Sequence, residues 1–514
     1  FEITTSGEIR LAGKYRHDLK LNWRHQLSEH RGLHGQGRLT GNLLSTKLNH
    51  TIDGLVRMDL QAELSNVLDN LEWQSSLDVK QFDSRDFDFV EALSGMPSLS
   101  GQLKLSSSGN LQKQQLNGQF SGKNSDLGPF KSSFDINRSS DNLIKIKQFS
   151  LTSRQTKTRL EAVGDWQPDK DFGQLNLALN WQHLQWPQKG VSWFNSASGK
   201  ARFNGNPGNY RINLETDRPF QQIPASQWTL TAQGNQQGMN IESLTIKTLE
   251  GKFNASGKLD WASFFNWDAD IQAVAINPGA EWPEWPGLIS GKVKTQGSYQ
   301  QNKLAIKAEL VGLEGRLRDY PVSLNGKLKW QHERLLIDQV RLKSASSQVT
   351  LQGQFADKLA LDWSINSPNL AELYPAASGV LNANGLISGS RQQPALKTDF
   401  SATDLRWNEI KVGSAKGSAR LDLQQWYEAH IMLKAQDITA GGVHLTSADI
   451  STQAETITLN VVVDQQRADI KLKGRVKGNQ WQGQLLSADL SSDRFSNWHL
   501  QAPAQLVLAS DSFK

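Results

Sequence analysis

The chain has no cysteine, so it forms no disulfide and offers no thiolate to a metal. That absence suits an oxidising compartment, where a stray thiol is a liability. Among its 514 residues no window approaches the roughly 18 consecutive apolar residues of a membrane span. It has no dominant charge: 56 basic residues face 51 acidic ones, for an evenly spread net of +5, which argues against a nucleic-acid partner. It lacks the zinc-protease, nucleophile-elbow and phosphate-loop motifs. Gly257-Lys258, Gly291-Lys292 and Gly326-Lys327 are not followed by Ser or Thr, and read as turn or strand-start residues. No catalytic constellation is left, so the chain is not expected to be an enzyme or to hold a cofactor or metal. His17, His25, His30 and His34 are read as polar-face or loop histidines, because no spacing among them supplies a supported ligand set. Asp83, Asp86 and Asp88 are read as the acidic start of a short helix rather than a calcium site. The chain opens on Phe1 rather than methionine, and is expected to be the middle portion of something longer.

What is present is alternation. In Leu175 to Trp181 and in Leu359 to Ile365 every second residue is apolar, and so it is from Ala468 to Val476. Successive side chains of a strand point to opposite faces, so each segment has one apolar and one polar face. That is the pattern of antiparallel sheets wetted on one side. Only 37% of the residues are hydrophobic, which fits sheets that bury a single face.

The alternation is organised by a repeat. Ser-Gly followed by x and a small or aliphatic residue occurs at Ser6-Gly7, Ser100-Gly101, Ser198-Gly199, Ser290-Gly291 and Ser378-Gly379, the glycines standing 88 to 98 residues apart. A second glycine follows each first one: Gly13, Gly109, Gly205, Gly297 and Gly385. A second alternating strand comes next, at Leu19 to Trp23, Leu116 to Phe120, Tyr210 to Leu214, Leu304 to Ile306 and Leu396 to Phe400. Each copy therefore reads as a hairpin opening a module, with modules at 1–99, 100–197, 198–289, 290–377 and 378–514. The last includes a partial module without a clean sixth copy. Short helices or turns ended by proline are expected before three copies: Asp86 to Leu93, the proline-broken Asn277 to Trp285, and Asn369 to Tyr374. In the last, Asn369 is expected to cap the helix, with Glu372 as its capping-box partner.

Strands joined by short hairpins lie beside their sequence neighbours, so the modules stack into an elongated sheet. About 40 strands at ~4.8 Å would extend on the order of 200 Å. Its apolar side must be covered. Either the sheet folds over on itself into a dry core, or it curls into a groove covered by something else. The fold class is thus all-β: an elongated, repeat-built antiparallel sheet curled into a hydrophobic groove, with a short helix between modules. The candidate lining is Leu19, Leu21, Leu103, Leu105, Leu175, Leu177, Leu179, Trp181, Ile212 and Leu214, then Leu304, Ile306, Leu328, Trp330, Leu359, Leu361, Trp363, Ile431, Leu433, Leu459, Val461, Ile470 and Leu472. Such a lining removes the cost of about 0.8 kcal/mol per CH₂ that an acyl chain incurs in water, so phospholipid acyl chains are the expected partner.

The Ser-Gly hairpins, the segment Leu370 to Pro375 before Ser378-Gly379, the run Gly385-Leu386-Ile387-Ser388-Gly389 to Pro394-Ala395-Leu396, and Trp282-Pro283-Glu284-Trp285-Pro286-Gly287 resemble the TamB family. These are the inner-membrane subunits of the translocation and assembly module, among the AsmA-like, bridge-like lipid-transfer proteins. The resemblance covers essentially the whole chain and rests on structural rather than catalytic motifs. It implies a periplasmic β-structure with a hydrophobic groove that carries phospholipid from the inner to the outer membrane. It also implies a link to the outer-membrane barrel TamA in autotransporter assembly. The family's inner-membrane anchor and its barrel-contacting domain are expected to lie in other parts of the parent protein, so no partner-contact residues are carried over. The competing class is a closed β-solenoid scaffold or adhesin-like rod with a dry core and no lipid.

Overall fold

The structure is a computed structural model, which describes every residue except 29–30, 88–97, 188–191, 193, 221–222, 423–428, 478–479, 494, 510–511 and 514. The described residues contain 35 β-strands, three short 3-10 turns and no α-helix. They fall into two compact units, Phe1–Thr248 and Leu249–Lys514.

The first unit is a sheet of sixteen strands from Glu2–Ile9 to Gly238–Thr248. Each strand pairs antiparallel with its neighbours in the chain. The second has nineteen strands from Gly251–Asp260 to Ser512–Phe513, with the same pairing until Gln480–Ser492. That strand takes both Phe495–His499 and Ala504–Ala509 as partners. Among the described residues neither unit pairs its first strand with its last, so neither closes into a barrel.

Turn chemistry sets the hairpins. Asn42, Asn110, Asn206 and Asn235 each end a strand and turn the side-chain oxygen onto backbone N–H groups two and three residues on. In the second unit, Gln301 and Asn302 (φ 48° and 61°) and Arg318 and Asp319 (φ 48° and 69°) form left-handed two-residue turns, which match strand twist.

The repeat acquires a structural meaning. The Ser-Gly strands Glu2–Ile9, Leu99–Asn110, Phe194–Asn206, Gly287–Gln300 and Ala377–Ser390 are the first, seventh, thirteenth, nineteenth and twenty-fifth described strands, so successive copies stand six strands apart. The thirty-first, Gln466–Lys477, carries Gly474 in its last third, where the other copies have their second glycine, 89 residues after Gly385. The sixth position is therefore occupied by a strand that keeps a late glycine and lacks the Ser-Gly pair. The division at Thr248 falls inside the stretch 198–289, so the compact units and the repeats have different boundaries.

Four of the repeat glycines are explained by a cross-strand tryptophan. Trp73 faces Gly109, Trp181 faces Gly199, Trp267 faces Gly297 and Trp363 faces Gly385. At Gly297 a Cβ would lie 2.0 Å from Trp267 Cζ2, so only glycine lets the indole lie flat across the neighbouring strand. The indole N–H then meets a hydroxyl: Trp73 donates to Ser107 at 3.0 Å, Trp181 to Ser196 at 2.8 Å and Trp267 to Thr295 at 3.2 Å.

Turns after odd-numbered strands lie on one rim of each sheet, and turns after even-numbered strands on the other. All three described 3-10 turns, Ser84–Phe87, Pro278–Ala280 and Leu370–Glu372, sit on the even rim. Of the short helices or turns expected before three copies they are the turns, so the short helix expected between modules is a single 3-10 turn, and the segment 88–97 lies outside the described residues. Asn369 caps the last of them, accepting from the Ala371 N–H at 3.3 Å. Glu372 does not complete a capping box. Its carboxylate reaches across to the next turn, accepting from Ser346 N–H (2.9 Å), Ser346 Oγ (2.9 Å) and Ser347 N–H (2.8 Å). Burial alone would raise its pKa, but the bonds from Ser347 and Ser346 outweigh burial and hold it below the ordinary value. Arg318 donates to the carbonyls of Ala371 (2.9 Å) and Glu372 (3.1 Å) while lying 4.8 Å over the Trp285 ring, which ties two inter-repeat loops along this rim.

Candidate functional site

The register converts alternation into a surface. In the first unit one position per strand forms an unbroken transverse row: Thr5, Leu21, Gly37, His50, Leu60, Leu77, Leu105, Gly118, Phe134, Phe149, Ala162, Leu179, Ala201, Leu214, Leu230 and Leu244. It carries no Asp, Glu, Lys or Arg. A parallel row on the same face contains Leu19, Leu177 and Ile212, and another contains Leu103 and Trp181. Leu175 stands one row further out, opposite Trp166.

The second unit repeats the arrangement. Leu328 and Leu361 share a row with Ala308, Ile337, Gly353, Ile387 and Leu396. Ile306 pairs with Trp330, and Leu304 stands two residues before Ile306 on the same face. Leu359 stands two residues before Leu361. Trp363 connects through Gly385, Thr398 and Ala419 to Ile431. Leu433, Ile450, Leu459 and Ile470 form one further row, with Val461 and Leu472 on its flanks. Within each unit, all the sequence-predicted lining positions therefore share one face.

This face is half-buried but not sealed. Of the predicted positions only Trp181 (7% exposed), Leu359 (7%) and Leu361 (9%) are buried. Leu304 is exposed, and the rest are half-buried. Among the described residues the largest fully buried side chains are the serines Ser196, Ser347 and Ser367, not apolar residues. The accessible surface is 32425 Å², whereas two compact globules of half this mass would expose about 23,000 Å² together. Within each unit the apolar side chains do not plug one another.

Bends accompany the face. Between Phe265 and Phe355 five successive strand pairs each carry a register shift, and such shifts bend and twist a sheet. Near the odd rim Arg391 donates to the Glu333 carbonyl and lies 5.1 Å over the Phe355 ring, which belongs to the apolar face. Arg391 and Glu333 stand three interstrand spacings apart, about 14 Å in a flat sheet. An arginine reaches about 7 Å, so this rim bends towards the apolar side.

The opposite face is charged and internally matched. Asp270, Lys294, Glu309, Lys327 and Asp338 make a transverse ladder of alternating sign, with Lys327 3.2 Å from Glu309. A cavity of about 620 Å³ opens over this ladder. In the first unit Arg38 pairs with Asp18 at 2.6 Å, and its hydrogen bond holds the Asp18 carboxyl below the ordinary value.

The histidines are not gathered. His17 bonds Thr46 at 3.2 Å, His25 packs edge-on against Phe1, and His34 points from the polar face. His30 lies outside the described residues. His50, which the sequence did not single out, interrupts the apolar row. Trp23 donates to its Nε2 at 3.0 Å, and its Nδ1 is buried without a partner.

Together these features define a class: repeat-built all-β proteins whose open sheets keep a continuous, uncharged face half exposed. The chain matches the family described as TamB, N-terminal domain, over residues 1–173 and 167–512, and it belongs to that family. It is similar to the translocation and assembly module subunit TamB of Haemophilus influenzae, 26% identical over 358 residues. That match covers 66% of this chain and 27% of the relative, so the chain spans about a quarter of the length of the curated relative. Among the described residues no helix is long and apolar enough to cross a membrane.

Proposed function

We propose that the chain is a section of a periplasmic conduit that carries phospholipid from the inner to the outer membrane, its acyl chains lying along the apolar face. The observation that carries this reading is the first unit's row of sixteen uncharged positions, thirteen of them half-buried and the row as a whole unsealed. Two acyl chains of about fifteen carbons make crossing through water prohibitively slow at roughly 0.8 kcal/mol per CH₂. A strip that carries no Asp, Glu, Lys or Arg at any strand, and is apolar at nearly all of them, keeps that cost low at each step. The movement needs no bond making, so the chain works without catalysis and without a cofactor. Family membership supports a role in outer-membrane protein assembly beside TamA, with an inner-membrane anchor supplied by another part of the parent protein.

A photo-cross-linking residue at Leu177 or Leu361 is expected to capture phospholipid in cells, whereas at Asn180 or Lys471, on the polar face, it captures little. Equal capture from both faces would refute the reading. In the competing picture, a dry-cored scaffold, the purified chain carries no co-extracted lipid.

A further inference from the structure

We infer that the odd rim of the first unit is a docking edge for an anionic lipid bilayer surface, an inference independent of what the apolar face carries. Leu11, Leu44, Leu68 and Leu111 sit in four successive turns of that rim and are 80%, 51%, 78% and 71% exposed. Successive turns on one rim stand two interstrand spacings apart, so the leucines form a comb with teeth roughly 10 Å apart. In the even-rim turns facing the same stretch of sheet the apolar side chains fold back: Val56 is buried, and Leu55 and Leu127 are half-buried, and among the described residues the exposed Trp186 stands alone further along that rim.

Neither turn chemistry nor slackness explains the comb. Hairpin tips favour Gly, Asn, Asp, Pro and Ser. The asparagines before Leu44 and Leu111 already close those turns through their own side chains, leaving the leucines without a structural task. The tips are also held in place. Leu43 N–H donates to the Lys14 carbonyl (3.2 Å), Asn66 N–H to Leu44 (3.0 Å) and Val67 N–H to Leu43 (3.2 Å), joining the first three turns edge to edge. A fixed row of apolar points is thus held out in water.

Charge selects the occupant. The four turns carry Arg10, Lys14, Arg16 and Lys113 against a single acidic residue, Asp69. Leucines entering the acyl boundary while lysines and arginines meet phosphates is the arrangement that binds anionic bilayers.

The test uses vesicles of phosphatidylglycerol and phosphatidylcholine against vesicles of phosphatidylcholine alone, with the whole 514-residue chain. The chain is expected to sediment with the anionic vesicles. Partitioning should fall roughly tenfold for each pair of leucines removed, up to L11S/L44S/L68S/L111S. Because the chain has no cysteine, Leu68→Cys accepts a single environment-sensitive dye, as does Lys157→Cys on the even rim. Anionic vesicles should blue-shift the dye at position 68 and leave the one at 157 unchanged. No binding, equal binding to uncharged vesicles, undiminished binding of the quadruple variant, or equal shifts at both dyes would each overturn the inference. Lipid capture at Leu177 in the quadruple variant reports separately on the apolar face.

Discussion

One residue step separates the two faces of each sheet, and Lys327 and Leu328 show the contrast. Lys327 stands between Glu309 and Asp338 in a ladder where every charge has an opposite neighbour. Leu328 stands between Ala308 and Ile337 in a row with no charge at all. The polar face is complete in water, because its ions are solvated and matched. The apolar face has neighbours only along its own plane and remains half exposed. A surface of this kind is stable in water when something apolar rests on it.

The sharpest way to break the comparison is to give the apolar face a charge. Leu361→Asp places a carboxylate among Gly353, Ile387 and their neighbours, with no cation on its row. Its urea midpoint is expected to show a loss of about 3 kcal/mol or more. Lys327→Ala removes a charge from the other face. Exposed pairs contribute little, so its loss should stay below about 0.5 kcal/mol. Equal losses would mean that the two faces do not differ as described.

The division between faces was legible in the sequence because a strand has a period of two, and position parity alone assigned every predicted lining residue to one side. What parity does not give is register. The cross-strand seat of Trp267 on Gly297 joins residues 30 positions apart and is fixed only by the pairing of two strands. The partners of Glu372 lie 25 and 26 residues away for the same reason, and the nearer capping box was the natural expectation. The sixth repeat strand escaped because it has no Ser-Gly pair, although Gly474 keeps the spacing of the second glycines. The leucine comb needs the strand count as well, since only that places Leu11, Leu44, Leu68 and Leu111 on the same rim. His50 was hidden because its strand alternates like any other, and a histidine at an inward position has no local signature.

The comparison sharpens at the glycines of the apolar face. Gly297→Val drives a side chain into the Trp267 ring, whose Cζ2 and Cη2 lie 2.0 and 2.2 Å from the ideal Cβ. The indole must lift off the strand and lose its bond to Thr295. The expected loss is about 1–3 kcal/mol. Adding Trp267→Leu should return part of it, read as a positive coupling in a double-mutant cycle. Additive losses would show that the indole does not rest on that glycine.

The smallest expected effect lies where the apolar face admits a titratable group. Burial disfavours the charged form of His50, so its pKa is lowered from the ordinary value. The Trp23 N–H that donates to Nε2 requires a lone pair there, which places the proton of the neutral ring on Nδ1. Protonation would turn one N–H against another inside the row. Because the folded-state pKa lies below the unfolded one, the unfolded chain binds more protons between the two values. Stability contributed by this site is therefore complete above the unfolded pKa of about 6.5 and falls as pH drops towards the folded value. Melting of the chain between pH 7.5 and 5.5 should show this slope, and His50→Phe, which keeps an aromatic ring at the position and cannot titrate, should flatten it. A slope unchanged in that variant would assign the acid sensitivity to other groups and leave the row, at this point, as indifferent to pH as its leucines.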